Sequence, residues 1–590
     1  MPQCNLADKD NDTVANIYTG ERDELMIGTK EERLNALGKL YPTWDQNTLW
    51  TMFEKCCNRN PDMDFIVTHN NKYSYKKAKE EIIKMTRCLI ALGVRKGTHV
   101  AMLMRNRPEF VFITFALARL GAVKIAINAA TRRSELIYVL NQSDAEYFLS
   151  TQVIDDSLLK SISKLKKTVV WDKNYIYHSS QSIFLQDFYK AGETVTEKEV
   201  VNCTVDGKDF SELFDITFTS GSTSSPKGVM LTHDMLLRTA YGSCISRLFE
   251  KGRRICVPVP LYHNLGYVEG LLAAMLVNGA IIITTGKVTS EILYHMLVDE
   301  NANDLLTVPS QMIDFFKYMQ GKKEEFSSLH AVYSSASMSP KWVWGEIRKV
   351  FHVKDVITAF GMTEVTASTM QTKPDDPDDY VVRYVGTIKP GGVAGVSNFG
   401  GAQCQYVIKD LSTGKTLQND QTGEICCKGL TVSKGYYKKD DINAQLFDQN
   451  GWMHTKDIGY FASNGYLVFL GRQNDSYKIN GELVLPQFID KIIGQCEQIR
   501  AVEVVGIRDD KCGEVGVAFI DPVDYSERTK TTIYTYCKDN LASFQVPKYF
   551  IFGSQDEWPR SASANKVPKF KLKIIAEEKI ATNETWRPLK

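Results

Sequence analysis

Residues 218–230 read FTSGSTSSPKGVM and bring six hydroxyl side chains, two glycines and one lysine into a single short stretch. The stretch overlaps an apolar segment, DITFTS, which predicts a buried strand, and the carboxyl ends of such strands are where α/β sheets bind ligands. Small residues let successive backbone N–H groups point into one concavity, and Lys227 adds a mobile positive charge. The pattern therefore predicts a loop that holds phosphate groups.

The same loop disfavours a standard P-loop NTPase. A Walker loop needs G-x-x-x-x-G-K-[ST], but here Pro226 replaces the second glycine and Gly228 follows the lysine. A surface turn rich in serine and glycine is the competing interpretation. The strand before the loop and the attached lysine favour phosphate binding over that turn.

Strands and helices alternate in the segments that must position this loop. KKAKEEIIKMTRCLIALG predicts a helix that ends at Gly93, HVAMLM a strand, and PEFVFITFALARLG a helix that begins at Pro108. AVKIAIN predicts the next strand, and SELIYVLNQS with AEYFLS repeats the helix and strand. Strands that are apolar throughout and alternate with helices are typical of a parallel sheet covered on both faces. We therefore expect an α/β fold.

The pattern changes near residues 465–482, GYLVFLGRQNDSYKINGE. Beyond this point VEVVGI, GVAFI and YFIF predict strands with helices between them, in a compact α+β module. We place a boundary at Arg472, which gives a polar N-terminal arm over 1–40, a large domain over 41–472 and a small domain over 473–590. The arm is only weakly periodic, and we expect it to be loosely attached.

The bulk composition is that of a globular protein with several domains. The chain has 590 residues, 43% hydrophobic and 24% charged, and its net charge of +1 argues against nucleic acid as a partner. The first residues lack the pattern of a secretory signal. The most apolar stretch, 270–286, is interrupted by Asn278 and Gly279 and is too short for a membrane span, so we expect a buried helix followed by a buried strand.

The thirteen cysteines are scattered and include no C-x-x-C pair. Their spacing indicates neither a zinc site nor a disulfide framework. We therefore expect free thiols in a reducing cytoplasm, which is the predicted location of the protein.

Several motifs together resemble the adenylate-forming superfamily, which includes acyl-CoA synthetases, beetle luciferases and the adenylation domains of peptide synthetases. TFTSGSTSSPKGVMLTH resembles its phosphate loop, NRPEFVFITFALARLGAV its early helix, PLYHNLGY its acyl-site turn and FGMTE its nucleotide motif. TGEICCKG, GWMHTKDIGYFASNGYLVFLGR and YKINGE resemble later blocks, and ANKVPKFKL resembles the terminal lysine motif. These motifs follow the family's order over residues 45–575, and AMP-forming acyl-CoA synthetases are the most similar members.

The resemblance implies a fold and a two-step reaction. A large N-terminal domain of parallel-rich sheets covered by helices would be followed by a small, mobile α+β C-terminal domain. A carboxylate would attack the α-phosphorus of ATP to give acyl-AMP and pyrophosphate, and the thiol of CoA would then displace AMP. Such chemistry needs placed charge more than acid–base groups. ATP, Mg²⁺ and CoA are the implied cofactors.

The matching family positions assign the phosphate side of the site. Thr363 and Glu364 would contact the α-phosphate, and Glu364 would help to hold Mg²⁺. The residues that would hold the β- and γ-phosphates all lie in the opening loop, and they are Thr219, Ser220, Gly221, Ser222, Thr223 and Lys227.

The adenine pocket departs from the family pattern in one segment. Phe360 would stack on the base as the usual tyrosine does, because stacking needs only the ring face. SSASMSP, residues 334–340, stands where the family has Gly-Gly-Ala-Pro. The further pocket residues that the resemblance implies are Ser335, Ala336 and Gly361.

The ribose contact is assigned to Asp457, which matches the carboxylate that accepts both ribose hydroxyls, with Arg472 as its basic neighbour. The family has T-G-D where this chain has Thr455-Lys456-Asp457. We expect Lys456 to point away from the nucleotide and to form a solvated ion pair.

The terminal motif contains four lysines in close succession, Lys566, Lys569, Lys571 and Lys573. A solvated basic face is the competing interpretation of such a run. The alignment selects Lys566 as the residue that bridges the carboxylate and the α-phosphate, with Lys569 as the alternative register.

The second half-reaction would require the small domain to rotate about Asn474. Lys478 and Gly481 would then reach the site for thioester formation, and a glycine would leave room for the pantetheine arm of CoA. His263 would line the acyl site over the adenylate and would not act as a general base.

Our interpretation is an ATP-dependent acyl-CoA synthetase for a medium-chain fatty acid or a similar apolar acid. PLYHNLGY and VPSQMIDFF suggest an apolar pocket with no obvious aspartate to hold an amino group. Three alternatives stay open, namely a ligase that loads a carrier-protein thiol, a luciferase-like enzyme, and an inactive relative that only binds. The expected partners are small molecules, and the possibility of a homodimer stays open.

Overall fold

The structure is a computed structural model that describes residues 29–131, 133–171, 182–219, 226–322, 326–335, 341–479, 482–509, 511–560 and 567–587. Some predicted site residues lie outside this description, and they are Ser220, Gly221, Ser222, Thr223, Ala336, Gly481 and Lys566. Within the described residues, no helix is long and apolar enough to cross a membrane.

The α-helices of the described residues are labelled α1 to α18 in chain order. They are Lys30–Leu40, Leu49–Arg59, Tyr75–Leu92, Pro108–Leu120, Arg133–Gln142, Asp156–Leu159, Leu185–Glu193, Glu197–Cys203, His233–Ser246, Ala273–Leu276, Ser290–Val298, Pro309–Met319, Lys341–Phe351, Tyr380–Arg383, Asp440–Leu446, Pro486–Ile493, Glu527–Asn540 and Lys569–Ala581. A π-helix over Leu265–Leu272 runs directly into α10.

The strands of the described residues are labelled β1 to β26 in the same way. They are Asp64–Val67, Lys72–Ser74, His99–Leu103, Val123–Ile127, Tyr147–Ser150, Lys167–Val170, Ser182–Phe184, Leu213–Thr219, Lys227–Thr232, Arg254–Cys256, Ala280–Ile282, Asp304–Thr307, Ala331–Ser334, Asp355–Ile357, Ala359–Gly361, Ser368–Gln371, Thr387–Ile388, Cys404–Lys409, Gly423–Gly429, Met453–Phe461, Leu467–Arg472, Tyr477–Ile479, Glu482–Val484, Ile499–Asp509, Gly513–Pro522 and Tyr549–Phe552.

Two large sheets dominate the fold. One has the order β7-β6-β5-β3-β4-β8-β9 and is parallel apart from the β8–β9 hairpin. The other has the order β14-β13-β12-β10-β11-β1-β2 and is parallel apart from the β1–β2 pair. These sheets and their covering helices confirm the predicted α/β class.

Smaller sheets complete the architecture. Strands β15-β16-β17 and β18-β19-β20-β21 form two antiparallel sheets. Strands β23-β22-β25-β24 form another, with β26 added parallel to β25. Helices α16, α17 and α18 pack around this last sheet, so the C-terminal part has the α+β character that its sequence predicts.

Alternate residues of one strand face different hydrophobic cores, because successive side chains of a strand point to opposite faces. In β3, Val100 and Met102 belong to the large core that also contains Ile255 and Ile281 of the other parallel sheet. Ala101 and Leu103 pack instead with the buried side chains of α5. The large core therefore lies between the two sheets, and a second layer of helices covers the opposite face.

Local capping signals place the helix ends where the sequence predicts them. Helix α3 is followed by Gly93, whose φ of 107° suits a glycine, and its N–H bonds back to the helix. Helix α4 begins at Pro108. The apolar stretch 270–286 forms the end of the π-helix, α10 and β11, which confirms the expected helix followed by a strand.

The described part of the N-terminal segment is packed against the rest of the molecule. Helix α1 buries Leu37 and the side chain of Arg33. The Arg33 guanidinium donates to the Leu248 carbonyl at 2.6 Å and lies 3.6 Å from the Asp355 carboxylate. These contacts differ from the loose attachment that its polarity predicts. The domain boundary at Arg472 remains a prediction.

The described cysteines are all free thiols, and most of them are buried. This agrees with the expectation of unpaired cysteines.

Candidate active site

The phosphate loop connects two antiparallel strands at the carboxyl edge of a parallel sheet. Strand β8 lies next to β4 in parallel orientation, and it pairs with β9 through the register partners Thr219 and Lys227. The residues between them, 220–225, lie outside the described residues. The hairpin therefore delivers Thr219 and Lys227 side by side to the edge where a ligand of this sheet would bind.

A tyrosine that the motif analysis did not select joins the phosphate loop to the nucleotide motif. The ring of Tyr436 lies 5.3 Å from Nζ of Lys227, and its hydroxyl donates to Oε1 of Glu364 at 2.7 Å. Burial raises the pKa of Tyr436 and the charge of Glu364 raises it further, so the phenol stays protonated and keeps donating. Tyr436 thus links a cation and a carboxylate across the site.

Backbone contacts hold Tyr436 in this position. Its segment runs along β9, where the Tyr437 N–H donates to the Gly228 carbonyl at 2.8 Å and the Met230 N–H donates to the Gly435 carbonyl at 3.1 Å. The Ser433 N–H donates to the Glu364 carbonyl at 2.8 Å. The only sequence signal for these contacts is a pair of tyrosines shortly after TGEICCKG.

The nucleotide motif FGMTE forms the end of β15 and a short turn. Thr363–Val365 is a 3₁₀ turn, and the next residue, Thr366, has a φ of 77° although it is not glycine. Such a conformation costs energy and persists only where neighbouring contacts hold it. The Thr366 hydroxyl donates to the Thr431 carbonyl at 2.8 Å, and Nδ2 of Asn264 donates to the Thr366 carbonyl. The turn that presents Glu364 is therefore fixed from two sides.

The same contact with Asn264 brings the acyl-site turn to the nucleotide motif. His263 precedes Asn264 and is partly buried. Its ring Nδ1 accepts from the Leu265 N–H at 3.2 Å, which places the proton of a neutral ring on Nε2. The π-helix begins at Leu265, and interruptions of this kind are frequent at functional sites. His263 is thus held at the start of an irregular, buried helix.

The residues predicted to line an adenine pocket lie at the adjoining ends of two strands. Oγ of Ser335 donates to the Ala359 carbonyl at 3.0 Å, which ties the end of β13 to the start of β15. Phe360 is buried, and its ring centroid lies 5.8 Å from that of Phe469. A Cβ atom at Gly361 would lie 1.9 Å from the Ala367 carbonyl oxygen, so only glycine fits there.

The two residues predicted to contact a ribose face each other on β20 and β21. Asp457 and Arg472 are register partners, and Oδ1 of Asp457 lies 3.2 Å from Nε of Arg472. Asp457 is buried whereas Arg472 is half exposed. A buried carboxylate beside a solvent-facing guanidinium can accept hydrogen bonds from the hydroxyl groups of a ligand.

Lys456 lies where the sequence places it, away from the Asp457 carboxylate. Its φ of 61° is the left-handed conformation that the glycine of T-G-D would adopt without strain. Its Nζ lies 3.6 Å from Oε1 of Glu424, and about half of the side chain is exposed. This confirms the expected solvated ion pair.

The structure describes only one of the two candidate lysines of the terminal motif. Lys566 lies outside the described residues. Lys569 begins α18, and its Nζ contacts Oδ2 of Asp490 at 2.6 Å and Oε2 of Glu503 at 2.7 Å. Lys569 is therefore a buried internal ion-pair partner of the C-terminal sheet, which disfavours the alternative register.

The predicted hinge residue and one residue predicted to act in the second half-reaction lie close together in the chain after β21. Asn474 lies in a 3₁₀ turn, Gln473–Asp475, directly after β21. Lys478 is exposed on β22, where its backbone N–H donates to Glu514 at 2.8 Å. Lys491 of α16 donates to the Arg383 carbonyl at 2.9 Å, which connects this part of the chain to the preceding one.

Glu364 and Asp457 belong to different motifs, and both lie close enough to Cys427 for their charges to act on its thiol. Burial raises the pKa of the Cys427 thiol, and the charges of both carboxylates raise it further. The structure thus brings Lys227, His263 and Asp457 together with Phe360 and Glu364 of FGMTE, from four separate segments. The roles of these residues in catalysis remain predictions.

Family models and known proteins were compared with this chain. The family model described as AMP-binding enzyme matches residues 53–437, and that described as AMP-binding enzyme C-terminal domain matches residues 489–565. The putative acyl-CoA synthetase YngI of Bacillus subtilis is 28% identical over 553 residues, which cover 89% of this chain and 96% of that protein. The mitochondrial medium-chain acyl-CoA ligase ACSF2 of Macaca fascicularis is 25% identical and covers 89% and 86%.

Among solved structures, the fold is similar to that of o-succinylbenzoate CoA synthetase (MenE) of Bacillus subtilis. Its complex with the acyl-adenylate intermediate has a TM-score of 0.74 at 21% identity, with 90% of this chain and 99% of that chain covered. The same protein with ATP and a magnesium ion has a TM-score of 0.72. At this level of identity the likeness concerns the fold.

Proposed function

The chain belongs to the AMP-binding enzyme family, and on that basis we propose that it converts a medium-chain fatty acid, or a similar apolar acid, to its CoA thioester at the expense of ATP. It is an ATP-dependent acid–thiol ligase of the AMP-forming type. The identity of the acid and the roles of individual residues are part of this proposal.

The observation that carries the proposal is the contact of Tyr436 with both Lys227 and Glu364 at the edge of the parallel sheet. A cation and a carboxylate that both contact one phenol suit a polyphosphate, whose charge needs a lysine on one side and a cation-binding carboxylate on the other. The nearby Asp457 supplies acceptors for a ribose. Lys227, Glu364 and Asp457 would thus contact the polyphosphate, its metal ion and the ribose of ATP, respectively.

The first half-reaction follows from where these charges lie. The substrate carboxylate oxygen attacks the α-phosphorus, the bond to the bridging oxygen breaks, and pyrophosphate leaves with its charge beside Lys227. Thr363 and the fixed turn at Thr366 hold the α-phosphate for attack in line with the leaving group. Lys566 would bridge the carboxylate and the α-phosphate, where negative charge concentrates in the transition state.

The residues present fit a magnesium ion. Oε1 of Glu364 accepts the Tyr436 hydroxyl, which orients the carboxylate, and Mg²⁺ usually binds one or two carboxylates while it keeps several waters. Glu364 would hold the ion, and the ion would neutralise charge on the phosphates.

The structure supports an apolar acid over an amino acid. The π-helix beyond His263 buries Leu265, Val268 and Leu271, and its charged residue, Glu269, is fully buried. Nζ of Lys389 lies 3.1 and 3.2 Å from the two Glu269 oxygens. Because Lys389 already neutralises this carboxylate, it has no charge left for a substrate ammonium group, whose burial without a partner would be costly.

The second half-reaction needs the CoA thiol at the carbonyl of the acyl-AMP. We expect the small domain to rotate about Asn474 so that Lys566 leaves and Lys478 and Gly481 approach. The thiol sulfur then forms the thioester bond, the thiol proton leaves to solvent, and AMP departs with the oxygen that it received from the acid.

Exchange of radioactive pyrophosphate into ATP, measured across a panel of acids, tests the proposal. We expect octanoic acid to support exchange and a zwitterionic amino acid to support little or none. Addition of CoA to octanoic acid should yield octanoyl-CoA, whereas thioester formation only on a carrier protein would identify a carrier-loading ligase. Exchange that is faster with amino acids than with fatty acids would overturn the assignment of the acid.

A further inference from the structure

Three potential metal ligands that the proposed mechanism does not use face one another on neighbouring strands. Glu424 and Cys426 belong to β19, and His454 belongs to β20. One ligand atom from each lies within 4.8 Å of the others. The cluster lies outside the phosphate, adenine and acyl sites, although β20 also carries Asp457 three residues after His454.

Strand geometry explains why these side chains meet. Cys426 and His454 are direct cross-strand partners, and such partners project side by side. Glu424 lies two residues before Cys426 and therefore projects from the same face of β19. The register shifts between Glu424 and Cys426, because one residue of β19 faces three of β20 there, and the bulge lies directly after His454.

The distances suit a small cation with mixed ligands. Nδ1 of His454 lies 2.8 Å from Oε2 of Glu424 and 3.7 Å from Sγ of Cys426. Tetrahedral Zn²⁺, with bonds of about 2.0–2.3 Å, needs neighbouring ligand atoms about 3.4–3.6 Å apart. The sulfur lies within a few tenths of an ångström of such a distance from Nδ1, and the carboxylate oxygen needs to withdraw by about 0.6–0.8 Å.

The surroundings orient the carboxylate as a ligand. The Lys456 N–H donates to Oε1 of Glu424 at 3.0 Å, which leaves Oε2 directed at the histidine. A hydrogen bond of this kind to the outer oxygen is typical of metal-ligating carboxylates. Nζ of Lys456 lies 3.6 Å from Oε1, and because about half of that side chain is exposed it can turn to solvent. The charges of Lys409 and Asp448, which form an ion pair with each other, also act on the Cys426 thiol.

We propose that Glu424, Cys426 and His454 form a binding site for a thiophilic divalent cation such as Zn²⁺, with water in the fourth position. The sulfur ligand separates this site from the magnesium ion expected at Glu364, because Mg²⁺ takes oxygen ligands. When the ion binds, the Cys426 thiol proton leaves to solvent, and the proton of the neutral His454 ring moves through solvent from Nδ1 to Nε2 so that Nδ1 is free to bind the ion. The ion would cross-link β19 and β20 three residues before Asp457 of β20.

The test is equilibrium binding of Zn²⁺ to the full-length protein in the absence of nucleotide. Cys426→Ser and His454→Asn each remove one ligand from a different strand, so the result does not depend on a single variant. Cys427→Ser is the matched control, because Cys427 is the next residue of β19 and points to the opposite face. Thermal melting without metal identifies any variant that does not fold.

We expect wild type and Cys427→Ser to bind one more Zn²⁺ than the two ligand variants, or to bind it at least about tenfold more tightly. Co²⁺ should give a thiolate-to-cobalt absorption band in wild type and in Cys427→Ser but not in Cys426→Ser. The proposal is overturned if wild type binds no Zn²⁺ at this site, if folded ligand variants bind as wild type does, or if Cys427→Ser loses the ion as well.

Discussion

At the scale of single residues, the phenol of Tyr436 decides how the carboxylate of Glu364 is presented. The hydroxyl fixes one carboxylate oxygen, while the ring face lies near the ammonium group of Lys227. A carboxylate that is held in one rotamer can place a cation and a phosphate without reorganisation during the reaction. The two functions of the side chain, ring and hydroxyl, can be separated by substitution.

Tyr436→Phe keeps the ring near Lys227 and removes only the hydroxyl. We expect acid-dependent pyrophosphate exchange to slow by about tenfold, because a hydrogen bond to a charged group contributes about 1.5–3 kcal/mol. Tyr437→Phe is the control, since the Tyr437 hydroxyl bonds Asp144 at 3.0 Å and not Glu364. Equal exchange rates for Tyr436→Phe and wild type would remove Tyr436 from the site.

At the scale of secondary-structure elements, a buried polar cluster joins four segments behind the acyl-site turn. The carboxylate of Glu269 in the π-helix accepts from Ser243 of α9 and from Ser368 of β16, and it pairs with Lys389 beyond β17. Burial alone would raise the pKa of Glu269, but Lys389 and the two hydroxyls lower it on balance. The cluster therefore stays charged and fixes the relative positions of these elements.

Breaking this pair should destabilise the protein strongly. Glu269→Gln or Lys389→Met leaves one buried charge without a partner, at a cost of about 3–5 kcal/mol. The double variant should recover part of that loss, because both charges are removed. Thermal melting measures the effect, and Lys77→Ala, which breaks an exposed pair with Glu80, should cost less than about 1 kcal/mol. A Glu269→Gln protein as stable as wild type would contradict this account of the cluster.

Acid stability depends on His233, the first residue of α9. Its Nδ1 accepts from the Leu49 N–H at 3.3 Å, and burial lowers its pKa to about 3. The unfolded chain takes up the proton below about pH 6.5, so this contribution is complete above that pH and is lost as the pH falls toward 3. By pH 5 the loss amounts to about 2 kcal/mol.

His233→Asn keeps an acceptor for Leu49 but does not titrate. We expect its melting temperature to fall less between pH 7.5 and pH 5 than that of wild type. His295→Asn, at an exposed position paired with Asp299, should follow wild type. Parallel melting curves for His233→Asn and wild type over this pH range would contradict the assignment.

Elements whose signals are local could be predicted from the sequence, and contacts that depend on strand register could not. Gly93 and Pro108 determine helix ends through their own backbone preferences, and the apolar run DITFTS predicts most of β8. Tyr436 lies 72 residues from Glu364, so their contact depends on how distant strands align. The contact between Cys426 and His454 also depends on strand register, because the two residues lie on different strands and form no C-x-x-C pattern.

At the scale of the whole molecule, the C-terminal sheet carries its own ionic core. Lys569 pairs with both Asp490 and Glu503 within that sheet and its helices, and Lys566 lies three residues earlier in the chain. One lysine of the terminal motif thus maintains the small domain, whereas we assign another to the reaction. The two roles predict different consequences for two nearby substitutions.

Lys566→Ala should slow adenylate formation by about a hundredfold or more, because it removes a charge that acts in that transition state. It should leave the conversion of supplied acyl-AMP to acyl-CoA largely intact, since the domain has then turned away. Lys569→Ala should lower the melting temperature instead, because Asp490 and Glu503 lose their shared partner. Single-turnover rates of both half-reactions measure the effect of Lys566→Ala, and thermal melting measures the effect of Lys569→Ala. Equal slowing of both steps by Lys566→Ala would argue against domain rotation.

The central claim is that the carboxylate of an apolar acid attacks the α-phosphorus of ATP, and the fate of the carboxylate oxygen tests it most directly. Octanoic acid with both carboxylate oxygens labelled with a heavy isotope is incubated with the enzyme, ATP, Mg²⁺ and CoA, and the nucleotide is analysed by mass spectrometry. The account predicts AMP that carries one labelled oxygen, formed in equal amount with pyrophosphate and octanoyl-CoA. Unlabelled AMP, or ADP as the acid-dependent product, would contradict it.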